Sequence, residues 1–146
     1  MTKEYGEQMK KILITGCSGY IGSHLLKKIE SRFKSEIHKL DKTPSTLPLE
    51  FFYHADILNL NNLKNKPHFD CVIHLAAEMK VGESVKNPIL YYETNINGTL
   101  NVLRNIKTKN FIFASTGAVE TLSSPYGISK KCGEEIVAQY CEEHNI

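Results

Sequence analysis

Across its 146 residues the sequence lacks any apolar run approaching the ~20 residues a helix needs to cross a bilayer, which excludes a helical membrane span. It lacks a charge excess: 18 Lys+Arg against 16 Asp+Glu leave +2, which argues against a surface devoted to nucleic acid. It also lacks paired-cysteine spacing. Cys17, Cys71, Cys132 and Cys141 form no CxxC and no small-secreted-domain pattern, so free buried thiols in a reducing cytoplasm are expected. Residues 1–8 have no apolar core of the kind a signal peptide carries, and residues 1–9 read as a flexible extension. Internal repeats and low-complexity linkers are missing as well. What remains, at 41% hydrophobic residues, is too apolar for disorder and of a length that suits one domain.

Short apolar runs alternate with helical stretches. Strands are expected at 11–15, 36–40, 51–54, 70–76 and 111–115, the fourth nearly all apolar, as a central parallel strand covered on both faces should be. Helices are expected at 20–32, where Ile21, Leu25, Leu26 and Ile29 recur at helical spacing, at 58–63, and continuously from Pro88 to about Ile106. A last helix starts near Pro125, capped by Ser123 or Ser124, and runs towards His144. Residues 43–48 break into a loop. Strands separated by helices imply an α/β fold: a Rossmann-like, doubly wound parallel sheet of about five strands, order 3-2-1-4-5. Binding groups then gather at the carboxyl ends of strands 1 and 4. His68, Cys71 and His74 fit a metal site poorly, because Cys71 and His74 point to opposite faces of a strand, and no metal is expected.

Thr15-Gly16-Cys17-Ser18-Gly19-Tyr20-Ile21-Gly22 follows the first strand directly and enters the first helix. This is G-x-x-G-x-x-G, a variant of the dinucleotide fingerprint. Gly16 permits the sharp turn, Gly19 lets backbone amides approach a pyrophosphate, and Gly22 lets helix and strand pack closely. The free amides and positive dipole end of the helix then face the phosphates. Asp41, at the end of the second strand, can bind the adenosine ribose hydroxyls and would repel a 2′-phosphate. NAD is therefore the expected cofactor over NADP, a preference that the adjacent Lys42 softens.

The segment Ile12 to His24, read through this loop, resembles the opening of the extended short-chain dehydrogenase/reductases, the NAD-dependent epimerase/dehydratase family. Further matches follow in family order: Val81-Gly82-Glu83-Ser84-Val85, Pro88, Tyr91-Tyr92, Asn95-Ile96-Asn97-Gly98-Thr99-Leu100, Phe111 to Thr116, and Tyr126-Gly127-Ile128-Ser129-Lys130. The resemblance is greatest to the NAD-binding part of the UDP-glucose 4-epimerase branch, while Ala76-Ala77-Glu78 looks more like the nucleotide-sugar dehydratases. It implies that Tyr20 and Ile21 join the three glycines at the phosphates and that Asp56 and Ile57 contact the adenine. It also implies that Leu75, Ala76 and Ala77 line the pyrophosphate and nicotinamide ribose. Asn95 lies behind the active site, either touching the cofactor side or bridging backbone.

Tyr126 and Lys130, four residues apart near a helix start, share one face. A phenol titrates near pH ~10 and needs a neighbouring cation to act as a base at neutral pH. By the resemblance, Tyr126 is the base, Lys130 supports it and binds the nicotinamide ribose, and Thr116 hydrogen-bonds the reacting sugar hydroxyl. The implied reaction interconverts UDP-hexoses at C4 through a transient 4-keto sugar, in a homodimer paired through helices 88–106 and 126–144. Two departures stand out. Thr116 and Tyr126 are only ten residues apart, where the family has a longer, substrate-facing loop, and the sequence given ends at Ile146, where a sixth strand is expected. Residues 10–146 are thus expected to form an NAD-binding domain without the sugar-binding lobe, weakly active or inactive alone. The alternatives are an NAD-binding module, a dehydratase-like piece, or a partner protein acting through its long helices.

Overall fold

The computed structural model describes residues 10–44, 50–60, 63 and 66–146. The expected N-terminal extension and most of the 43–48 loop fall outside them. Five parallel strands form one sheet in the order β3-β2-β1-β4-β5, the expected doubly wound arrangement. Strand β1 (Lys10–Thr15) lies at its centre, with β2 (Ser35–Asp41) on one side and β4 (Cys71–His74) on the other. Outside them pair β3 (Phe52–His54) and β5 (Phe111–Phe113).

A strand buried on both faces feeds two cores, because successive side chains point opposite ways. Leu13 joins Leu40, Phe69, Val72 and Val102 on one face. Ile14 joins Cys17, Leu26, Ile29 and Ile37 on the other, under helix α1 (Tyr20–Arg32). After β1 the chain turns to β2, and β4 later adds on the opposite side of β1. That reversal opens a crevice between the carboxyl ends of β1 and β4.

Two expected elements come out differently. The stretch expected as a helix from 58 begins instead as a turn: Asp56 Oδ1 accepts from Leu58 N at 2.9 Å, the side-chain bond by which aspartate competes with helix formation. Residues 59 and 60 are irregular, and Leu60 is buried in the core. The helix expected over 88–106 is three pieces, α3 (Pro88–Tyr92), a π-helical turn (Glu93–Asn97) and α4 (Gly98–Asn105). The Gly98 N–H donates to Glu93 O five residues back, which widens the helix there. Preceding them is an unanticipated short helix, α2 (Val81–Lys86). The last helix, α5 (Pro125–His144), matches its expectation, and Ser124 is the cap, its hydroxyl accepting from Gly127 N at 3.1 Å.

Candidate dinucleotide site

Chain direction reverses at Gly16, whose φ of +71° is strained for any residue with a side chain. A Cβ there would also sit 2.7 Å from Ala76 N, so the loop after β1 and the exit of β4 touch backbone to backbone. Gly22 has a similar part at the next turn. A Cβ would collide with Gly16 O and lie 2.8 Å from Cys17 Cα, so only glycine lets α1 start this close to the loop. The helix has no side-chain N-cap, its N-cap position being Gly19, which leaves its first amides available to a ligand.

These features border a cavity of about 460 Å³ at the carboxyl ends of β1, β2 and β4. Of the residues expected to hold a cofactor, the structure gathers Gly16, Gly19, Tyr20, Ile21 and Gly22 from the loop, Asp41, Asp56 and Ile57 from the β2–β3 side, and Leu75, Ala76 and Ala77 after β4. Sequence reasoning had not counted Ser18, Lys42, Glu78, Met79, Thr94 and Ala114 among them, yet they line it too. Asp41 is almost fully buried, and both carboxylate oxygens are directed by backbone: Oδ2 accepts from Ser18 N and Oδ1 from Thr43 N, each at 2.9 Å. Burial and the Asp41 charge push the Cys17 thiol above its ordinary value, keeping it a thiol.

Ser18 Oγ is buried without a hydrogen-bond partner among the described residues. A buried hydroxyl left unpaired is costly, and a polar group entering this cavity would offset that cost. Together with the open α1 N-terminus and the glycine cradle, this donor set fits a dinucleotide pyrophosphate.

Thr116, Tyr126, Lys130 and Asn95 do not line the cavity. Thr116 caps a 3₁₀ turn (Gly117–Val119), accepting from Ala118 N at 3.4 Å. Tyr126 is half-buried, its ring edge-on to Tyr91 at 6.3 Å. Lys130 is 4% exposed, its ammonium 4.0 Å from the centre of the Phe113 ring, and no hydrogen-bond acceptor among the described residues reaches it. Burial pulls its pKa down to about 8, opposed by the charge of Glu134 one helical turn on. Glu134 Oε1 in turn accepts a short hydrogen bond, 2.5 Å, from Ser115 Oγ, which ties α5 to the end of β5. The Asn95 amide makes three bonds: Oδ1 accepts from Glu78 N (2.8 Å), and Nδ2 donates to Glu78 O (3.0 Å) and Ser129 Oγ (2.9 Å). In this geometry Asn95 bridges the loop after β4 to the start of α5.

His74, weighed above as a metal ligand, is instead part of a buried polar chain. Thr99 Oγ1 donates to Asn95 O at 2.7 Å, so it accepts from His74 Nε2 at 3.0 Å. His74 Nδ1 then accepts from Thr15 Oγ1 at 2.7 Å, and that oxygen accepts from Ala76 N at 3.3 Å. Complete burial drives the imidazole pKa down to about 3 and holds it neutral. Among the described residues no three His, Cys, Asp or Glu side chains gather as metal ligands.

A parallel 3-2-1-4-5 sheet with a glycine loop and a helix N-terminus at its switch point defines a Rossmann-type dinucleotide-binding domain. The chain belongs to the NAD dependent epimerase/dehydratase family, whose model matches residues 12–146. It is 33% identical to the UDP-glucose 4-epimerase of Mus musculus over 172 residues, covering 91% of this chain and 49% of the relative. It is 42% identical to the dTDP-D-glucose 4,6-dehydratase of Dictyostelium discoideum over 129 residues, covering 76% and 30%. The UDP-glucose 4-epimerase of Brucella ovis, solved in complex with NAD, superposes with a TM-score of 0.81 at 28% identity, over 94% of this chain and 49% of that one. The chain thus spans about half the length of the epimerases it matches. The mouse alignment is also longer than this whole chain, so the relative carries inserted residues inside the matched region.

Proposed function

We propose that this chain is the NAD-binding part of a UDP-glucose 4-epimerase-like protein. The observation that carries the reading is the cavity itself, where an unpaired buried serine hydroxyl and uncapped helix amides adjoin a fixed Asp41 carboxylate. The pyrophosphate would lie on Gly19, Tyr20, Ile21 and Gly22, and the adenosine ribose on Asp41. Asp56 and Ile57 would flank the adenine, and Leu75, Ala76 and Ala77 the nicotinamide end.

When bound, NAD supplies a hydride acceptor that can return the hydride to the same sugar. Tyr126 takes the proton of the C4 hydroxyl, Thr116 hydrogen-bonds that hydroxyl, and Lys130 binds the nicotinamide ribose. Lys130 suits that role: a largely buried ammonium packed on the Phe113 ring gains from a hydroxyl brought within reach. The nucleotide-sugar pocket is not formed by residues 10–146 in this reading, and two copies pair through α3–α4 and α5. A dehydratase-like role is the second reading, favoured by Ala76-Ala77-Glu78 and by the identity to the Dictyostelium enzyme.

Calorimetric titration with NAD tests the core of the reading. Saturable binding is expected, weakened about tenfold or more by Asp41→Ala, because a charge-assisted hydrogen bond to ribose is lost. No affinity at millimolar NAD would overturn it. Conversion of UDP-galactose to UDP-glucose, assayed beside Tyr126→Phe, tests turnover. Slow conversion above that control is the most this chain should show, and a rate equal to the control's assigns it to cofactor binding without catalysis.

A further inference from the structure

Lys42 follows Asp41 directly at the exit of β2, where a cation in this fold accommodates the 2′-phosphate of NADP. In this chain it is held in an ion pair. Its Nζ lies 2.9 Å from Glu78 Oε1, across the cavity that both residues line. Glu78 is no freely roaming surface carboxylate. Its backbone N–H and C=O are both held by the Asn95 side chain, itself 2% exposed and anchored to Ser129, so the place from which its carboxylate reaches is set by the core. Asp41 and Asp56 add their charges around the same ammonium, and with Glu78 they hold its pKa above the ordinary lysine value.

From this geometry we propose that Glu78 sequesters Lys42 and thereby makes the cavity select a dinucleotide with a free 2′-hydroxyl over one with a 2′-phosphate. The inference rests on the dinucleotide reading above and adds a specificity determinant to it. A lysine next to the ribose-binding aspartate would otherwise blunt the discrimination that Asp41 imposes. With Glu78 in place, a 2′-phosphate meets three carboxylates and an ammonium already neutralised.

The test is the ratio of NADP to NAD dissociation constants, measured by calorimetry for the wild type, Glu78→Gln, Lys42→Met and the double variant. Because the pair is partly exposed, its effect is modest: Glu78→Gln should lower the ratio about three- to tenfold. Adding Lys42→Met should remove that gain, since the released ammonium produces it. Lys42→Met alone should shift the ratio less than about twofold, because the wild-type lysine is already engaged. An unchanged ratio in Glu78→Gln, or a gain that survives in the double variant, overturns the proposal. So does a severalfold rise in the ratio with Lys42→Met alone, which would show Lys42 already serving the phosphate. A wild type that binds neither dinucleotide removes the reading beneath it, whereas tight NAD binding with an unmoved ratio removes this inference alone.

Discussion

Where β1 and β2 end, the residues facing the cavity are held by backbone: Gly16 against Ala76, Gly22 against Cys17, and Asp41 by two amides. Beyond the end of β5, away from the cavity lining, Thr116 bonds the amide of its own 3₁₀ turn, while Tyr126 and Lys130 rest on rings, edge-on to Tyr91 and over Phe113. The first region is shaped before any ligand arrives. The second holds a largely buried cation against an aromatic ring, a feature that costs stability. On the proposed reading, cofactor recognition is built into the local chain path, while catalysis depends on what is added to it.

The largest effect should come from attacking the first region. Gly16→Val puts a branched side chain at positive φ and into the Ala76 backbone, and should cost about 3–5 kcal/mol of unfolding free energy in urea titrations. A loss under about 1 kcal/mol would show the loop to be pliable and the contrast false.

Lys130→Met should act the opposite way, raising stability at pH 7 by about 1–2 kcal/mol, since a buried charge is replaced by an apolar chain of similar length. The pH dependence sharpens this. The folded protein releases the Lys130 proton near pH 8, whereas the unfolded chain keeps it to about 10.4, so wild-type stability should rise over that interval. Lys130→Met should lack that rise, and a destabilised variant would mean that the ammonium has a stabilising partner.

His74 provides the smaller, intermediate test between the two regions. Neutral when folded and protonated below about 6.5 when unfolded, it contributes stability that is present above pH 6.5. That contribution should be lost at about 1.4 kcal/mol per unit as pH falls further. In His74→Gln the slope between pH 6.5 and 5 should shrink by about one proton, and an unchanged slope would show the ring to be solvated.

The backbone-held region was legible in the sequence because its cause is local. A strand, three glycines at fixed spacing and a helix are contiguous, and the apolar runs fix which strands are central. Less was legible where contacts are non-local. Lys42 and Glu78 meet across 36 residues, and nothing in either neighbourhood announces the other. Asn95 read equally well as a cofactor-facing or a bridging residue until its partners at Glu78 and Ser129 were in place. His74 read as a poor metal ligand, but a histidine in an apolar strand gives no sign of the two threonines it bonds. The π turn escaped because one extra residue in a helix leaves the apolar spacing nearly intact on either side.

That wide turn fixes the phase between two halves of one rod. Before it, Tyr91 reaches the loop at Lys80 and the ring of Tyr126; after it, Thr99 and Val102 address the sheet. Because the turn closes its hydrogen bond five residues back rather than four, it takes in one residue more while leaving the two halves in the phase a regular α-helix would give them. A residue removed from α4 ahead of Val102 finds no such slack: beyond the cut the helix turns by about 100° and carries Val102 away from the sheet. The widened turn is thus the place where this rod can lose a residue at least cost to the phase of its two halves.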